Sequence, residues 1–371
     1  MASVPIRIPV LRPRLPTSAA ITPYLQAIDK DRWYSNFGPR EQEFTRRLCG
    51  HFGVPEGSIH CVANATVGLT SVLLALGAVP GALCMIPSWT FAASPSAACA
   101  AGLLPYFADV DESTWALTPE IARRALDEAP GRVAAVMPVA PFGAPIDAAA
   151  WNRFTEETGV PVVIDAAAGF DALRVAKTPA VVSLHATKAL GIGEGGFVAC
   201  EDRELVQRMR IRSNFGFFGS RSATVTGTNA KLSEYGAAVG LAALDEWPKI
   251  RAVYEGLAKA YRAALADAPG ISFSPGFGDN HVATTCNVFL PVPAGRIEGA
   301  LAAAGIETRR WWGTACHRMI AFHLHPRSAV PVTEAFAERV LGLPFHSDLT
   351  TAQVDEICGV LRRAVAAAPA Y

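Results

Sequence analysis

From about residue 60 the chain alternates short apolar runs with segments of helical period, and strands separated in this way by helices assemble as an α/β sheet. The pattern predicts strands at 59–62, 83–86, 104–107, 133–137, 162–164, 181–184 and 196–200. Helices are predicted between them at 67–76, 119–129 and 147–158, the last opened by Asp147 as its N-cap. Seven strands of this kind make one large sheet. Helical patterns follow at 232–244 and 248–268, after which the order changes to a strand at 288–290, a helix at 297–304, a strand at 306–309 and a final helix from Thr351. Thr350 and Asp355 signal the start of that last helix, a negative charge in the first turn suiting its dipole. The change of order places a domain boundary near residue 245, with a large unit over 1–245 and a smaller C-terminal α/β unit over 246–371.

Composition narrows the partners. A chain of 371 residues is long enough for two or three domains at roughly 100–200 residues each. Its 33 basic residues balance 33 acidic ones, which excludes a globally basic binder of nucleic acid or of an anionic membrane. The mean hydropathy is high at +0.24. Yet the most apolar stretch, residues 91–108, is mostly Ala and Ser and is broken by Pro95 and Pro105, whereas a spanning helix needs about 20 unbroken apolar residues. The N-terminus carries Arg7, Arg12 and Arg14 among prolines and lacks the apolar core of a secretory signal. Eight cysteines are scattered without a CxxC pair, against both a disulfide framework and a zinc site. The expected compartment is a reducing cytoplasm, with no membrane and no nucleic acid as partner.

One glycine motif points the wrong way. Gly191-Ile-Gly193-Glu-Gly-Gly196 matches GxGxxG, but a dinucleotide fingerprint needs a strand before the glycines and a helix after them. Here Phe-Val-Ala-Cys, a strand, follows, and no acidic residue about 20 positions on ends a second strand.

The segment just upstream, Ser183-Leu-His-Ala-Thr-Lys188, carries more chemistry. A lysine leaving a buried strand for a glycine-rich turn sits in a confined, partly apolar place where its amine can lose a proton and form a Schiff base. Taken alone, a loop lysine is more often a surface residue. Asp165 ends the strand at 162–164 among alanines, at the edge where α/β sheets bind ligands, and can pair with a positive group such as the ring nitrogen of pyridoxal phosphate (PLP); a turn-capping role is equally open. Ala65 and Thr66 lie between a strand and a helix, where free N–H groups and a hydroxyl suit a phosphate, although Thr is also an ordinary N-cap. Ser183 can add a second hydroxyl. Phe91, after another strand, can stack on a flat ring or simply pack in the core. An anion site, a stacking ring, an acid and an amine at strand ends of one sheet are far more specific together than singly.

With these residues in view, the sequence resembles the fold-type I PLP-dependent transferases, and among them the DegT/StrS sugar aminotransferases. The resemblance runs through Trp33-Tyr-Ser-Asn-Phe-Gly38, Pro87-Ser-Trp-Thr-Phe91, Phe107-Ala-Asp-Val-Asp111, Val163-Ile-Asp165-Ala-Ala, Ser183 to Lys188, Gly193 to Gly196, Gly227-Thr-Asn229 onward, Gly305 to Arg309 and Leu343-Pro-Phe-His346. It implies a mostly parallel seven-stranded sheet and a small C-terminal domain. It implies Lys188 as the Schiff-base lysine, Asp165 on the pyridinium nitrogen, Phe91 on the ring face, and Ala65, Thr66 and Ser183 on the phosphate. It also implies a homodimer in which Asn229 reaches the partner's phosphate; from sequence alone Asn229 reads only as a cap for the helix starting near Leu232. Arg309 and His317 fall in a segment that approaches substrate in relatives, and His185 reads as packing beside the lysine.

The implied activity is transfer of an amino group, from glutamate, to a nucleotide-linked keto-sugar. Three positions depart from the family pattern. Ala168 replaces a Gln that bonds the cofactor's phenolic oxygen, Ala65 replaces a Gly, and Ala140 replaces a His. They keep a cyclitol or free keto-sugar open as acceptor, whereas a PLP-dependent sugar dehydratase of the same family characteristically has His where Lys188 stands.

Overall fold

A computed structural model describes residues 5–279 and 281–368. Seven strands form the main sheet: β1 (Ile59–Val62), β2 (Leu83–Pro87), β3 (Leu104–Ala108), β4 (Val133–Val136), β5 (Ile164–Asp165), β6 (Ala180–Ser183) and β7 (Gly196–Ala199). The run β3-β2-β4 meets the run β5-β6-β7-β1 through parallel bridges Val136 to Val162 and Val139 to Asp165. Every pairing is parallel except those of β7, which is antiparallel to both β6 and β1. The expected mostly parallel sheet is therefore present. The glycine-rich run lies in the connection between β6 and β7, which pair as antiparallel neighbours.

Helices α1 (Ser18–Asp31), α2 (Pro39–Phe52), α3 (Ala65–Ala75), α4 (Ala93–Ala100), α5 (Pro119–Asp127), α6 (Ala148–Thr158), α7 (Arg203–Ser213) and α8 (Glu234–Ala264) surround the sheet. The uncharged α3 buries Leu69, Val72 and Leu73 in a cluster with Val181 and Val198 of the sheet. Asp147 caps α6 as expected, accepting from Ala150 N–H at 3.0 Å. Two helices expected at 232–244 and 248–268 are one, the 31-residue α8, and residue 245 lies inside it. Interrupting a helix with Pro248 costs about 3 kcal/mol. Burial of Leu241, Trp247, Tyr254 and Tyr261 offsets that at about 1.5–3 kcal/mol each.

Beyond α8 lie β8 (Ser272–Phe273), β9 (Cys286–Phe289), α9 (Gly295–Ala303), α10 (Pro331–Arg339), β10 (Val340–Leu343) and α11 (Thr351–Ala367). The strands form a separate antiparallel sheet ordered β10-β9-β8. The strand expected at 306–309 is reduced to isolated bridges, Ile306 with Ile8 and Arg309 with Gly342. The N-terminal arm thus crosses to this part of the chain. Asp109, just past β3, crosses too: its carboxylate accepts from the Val332 and Thr333 N–H groups at 2.9 and 2.8 Å and so caps α10, whose own N-cap, Val330, cannot. Among the described residues no helix is long and apolar enough to cross a membrane.

Candidate active site

The site is built where β1, β5 and β6 end and the glycine turn enters β7. Asn64 caps α3 by accepting from Val67 N–H at 2.9 Å, and Gly68 N–H bonds Asn64 C=O. The Ala65 and Thr66 amides, first and second in the helix, are left as free donors at its positive end. Gly196 is paired with Val62 on one side and Ser183 on the other. A Cβ at Gly196 would stand 2.8 Å from the Ala65 nitrogen, so only glycine lets β7 pass this close beneath the helix N-terminus. Ser183 therefore lies beside Ala65 and Thr66, and its Oγ accepts from His185 N–H at 3.2 Å while keeping its own proton to donate.

Asp165 is one strand over, its chain tied to β6 by Ala166 N–H on Val181 C=O. Its side chain is buried, with Oδ2 accepting from Ser94 Oγ at 2.7 Å and Oδ1 from Ala167 N–H at 3.1 Å. Burial raises its pKa, and Ser94, Ala167 and the positive charge of Lys188 pull against that rise. Lys188 follows a tight turn in which its N–H bonds His185 C=O. Loss of hydration lowers its pKa, opposed by the field of Asp165. The amine and the carboxylate thus feel each other's charge without forming a direct ion pair. An amine eased toward its neutral form can act as nucleophile and proton carrier.

The remaining residues divide. Phe91 is not in the core; it is 61% exposed, four residues past the end of β2. The His185 ring lies with Nδ1 2.9 Å from Thr187 Oγ1 and Nε2 3.7 Å from Glu194. Asn229 is exposed and pairs with Asn214, and it does not cap α8. Ser233 does, accepting from Gly236 N–H at 3.0 Å. Arg309 is engaged with Glu307 at 3.2 Å and lies 5.1 Å over the Trp311 ring. His317 is buried, its Nδ1 2.6 Å from Ser88 Oγ, and burial lowers its pKa. At the departures, Ala168 presents its carbonyl where a Cβ on Gly143 would come within 2.6 Å, and Ala140 N–H bonds Asp165 C=O. Phe142 between them stacks on Trp312 with ring centroids 4.1 Å apart.

Sequence reasoning missed Ser94, Thr90 and Ser88, which surround Asp165 and His317. The one local signal was the spacing of Thr90 and Ser94, four apart around a helix start.

Comparison with known proteins identifies the family. The chain is 30% identical to Protein Rv3402c of Mycobacterium tuberculosis (strain ATCC 25618 / H37Rv) over 96% of its length and 90% of that protein. It is 28% identical to a dTDP-4-amino-4,6-dideoxy-D-glucose transaminase of Shigella dysenteriae, over 95% of this chain and 98% of that one. The crystal structure of DesI in the presence of its TDP-sugar product superimposes with a TM-score of 0.89 at 31% identity, covering 99% of this chain and 95% of DesI. The fold is thus that of the fold-type I transferases. The model of the DegT/DnrJ/EryC1/StrS aminotransferase family matches residues 17–362, nearly the whole chain, and the protein belongs to that family.

Proposed function

We propose that the protein is a PLP-dependent aminotransferase that moves an amino group from glutamate to a nucleotide-linked keto-sugar. The carrying observation is the coupled pair Lys188 and Asp165 at the sheet's ligand-binding edge. The residues present fit the cofactor. Two free amides on α3 and the Ser183 hydroxyl suit its phosphate, the exposed side chain of Phe91 suits its ring, and a buried carboxylate with spare lone pairs suits a ring N–H. When bound, PLP supplies an aldehyde that captures amines and a ring that withdraws electrons. Lys188 then takes a proton from the substrate carbon and returns it, which its lowered pKa favours near neutrality. Asp165 holds the proton on the ring nitrogen.

The nucleotide-sugar substrate is supported by relatives named as a dTDP-sugar transaminase and a UDP-2-acetamido-2-deoxy-3-oxo-D-glucuronate aminotransferase. A homodimer is supported by exposed Trp33, Tyr34, Phe215, Phe218 and Tyr235, a quantity of aromatic surface that suits a protein partner. Asn229 is exposed, as its role at a partner's phosphate requires. The division into two units runs along α8. The cysteines, all free among the described residues, suit a reducing cytoplasm.

Lys188→Ala should abolish the visible absorbance of bound cofactor and half-transamination with glutamate. Retention of both would sink the proposal. Mass spectrometry of products from a panel of nucleotide keto-sugars tests the acceptor. An active Lys188 enzyme that ignores the whole panel would favour a cyclitol or free keto-sugar, the reading that Ala140 and Ala168 keep open.

A further inference from the structure

Asp165 sits at the end of a line of hydroxyls whose direction chemistry fixes. An ionised carboxylate only accepts, so Ser94 Oγ donates to Asp165 Oδ2 at 2.7 Å. Ser94 has then spent its one proton, so across the 2.8 Å contact between them Thr90 Oγ1 must be the donor and Ser94 the acceptor. All three side chains are buried, with exposures of 0% at Ser94, 1% at Thr90 and 4% at Asp165. In such surroundings a hydrogen bond to a charged group is stronger than in water, and each link polarises the next. The root of the line is fixed from far along the chain. Cys316 donates its N–H to Ser88 C=O at 3.0 Å and its Sγ–H to Thr90 C=O at 3.3 Å, while His317 N–H donates to Ser88 Oγ at 3.2 Å. These bonds hold residues 88–90, and the same segment leads directly into Phe91.

We infer that Ser94 is a positioning residue for Asp165, with Thr90 behind it, and that this hydroxyl relay keeps the carboxylate ionised and aimed at the cofactor's ring nitrogen. The inference rests on the PLP reading of the site. Lys188, on the turn after β6, is the charged group whose field reaches Asp165, and Ala167 N–H supplies the other donor. Losing Ser94 leaves only that amide and the distant lysine against burial. The carboxyl then protonates at higher pH and loses its hold on a protonated ring.

The test is titration of the purified apo-enzyme with pyridoxal 5'-phosphate from pH 5 to 9, following absorbance and tryptophan fluorescence. Ser94→Ala should weaken cofactor binding about tenfold at neutral pH, the worth of one hydrogen bond to a charged group. It should also move the acid limb of the affinity profile upward by about one pH unit. Ser94→Thr keeps a hydroxyl and should restore both. Thr90→Val should give the same upward shift at about a third of the size. Wild-type affinity and an unmoved profile in Ser94→Ala, or in Thr90→Val if the first variant does not fold, would overturn the relay. Failure of the wild-type protein to take up the cofactor would instead overturn the reading on which it rests.

Discussion

Two regions of the molecule bury a carboxylate near a base, and they supply it with different numbers of hydrogen-bond donors. At the ligand-binding end, Asp165 receives a hydroxyl, an amide and the field of a lysine. Near the opposite end of β1, Glu41 on α2 borders a cavity of about 990 Å³ together with His60 and Arg210. Glu41 is as buried as Asp165, yet it accepts from Thr45 alone, at 3.1 Å, with the charge of Arg210 favouring its ionised form and that of Glu234 opposing it. Desolvation pushes its pKa up to about 7. His60 is driven down to about 3 by burial and then by Arg210. Both groups in that region therefore lean toward neutrality. Desolvation raises both carboxylates, and what separates the regions is the supply of oriented donors that oppose it, two at Asp165 and one at Glu41.

Exchanging the carboxylates for amides sharpens the contrast most. Asp165→Asn should lower turnover by up to about 10³-fold, the scale seen when one preorganised electrostatic partner is removed. Glu41→Gln should leave turnover within about twofold. Equal losses in steady-state assays would erase the distinction.

Stability against pH gives the second test. Glu41 has a folded-state pKa above its ordinary 4.5, so its contribution is complete below that value and is lost as pH rises through about 7. Glutamine imitates the neutral acid. Glu41→Gln should raise unfolding free energy by about 3 kcal/mol at pH 8 and change it little at pH 4.5. A gain of the same size at both values in urea melts would break the assignment. The smallest expected effect is in the backbone beneath the proposed phosphate site. Gly196→Ala brings a methyl to 2.8 Å from Ala65 N and 2.9 Å from Val182 O, and should cost about 1–3 kcal/mol while weakening cofactor binding. Unchanged stability and affinity would show that the β7 approach to α3 has slack.

Much of this was legible in the residues, for reasons that differ by element. The sheet strands announced themselves because buried parallel strands are nearly continuous apolar runs. Lys188, Asp165, Thr66 and Ser183 stood out because strand ends in such a sheet are where ligand chemistry concentrates. Pro248 hid the continuity of α8, since a proline reads as a helix break and only the burial of Trp247 and Tyr254 overrides it. Pro95 and the run of small residues concealed α4 in the same way. Asn229 looked like a cap because it precedes an apolar helix, but Ser233 is nearer the first turn and takes that place. No local pattern could have joined Ser94 to Asp165, because 71 positions separate them.

That separation carries a kinetic consequence. The turn that presents Lys188 joins two neighbouring paired strands, so it closes a short loop and forms by local contact. The surroundings of Asp165 require Ser94 from 71 positions away, and the Ser88 anchor waits for His317, 229 positions downstream. During synthesis the amine, the carboxylate and Ser94 all emerge before Cys316 and His317, the residues that hold the 88–90 segment. The last third of the chain, although it contributes neither the lysine nor the aspartate, therefore governs when the site becomes competent to hold its cofactor.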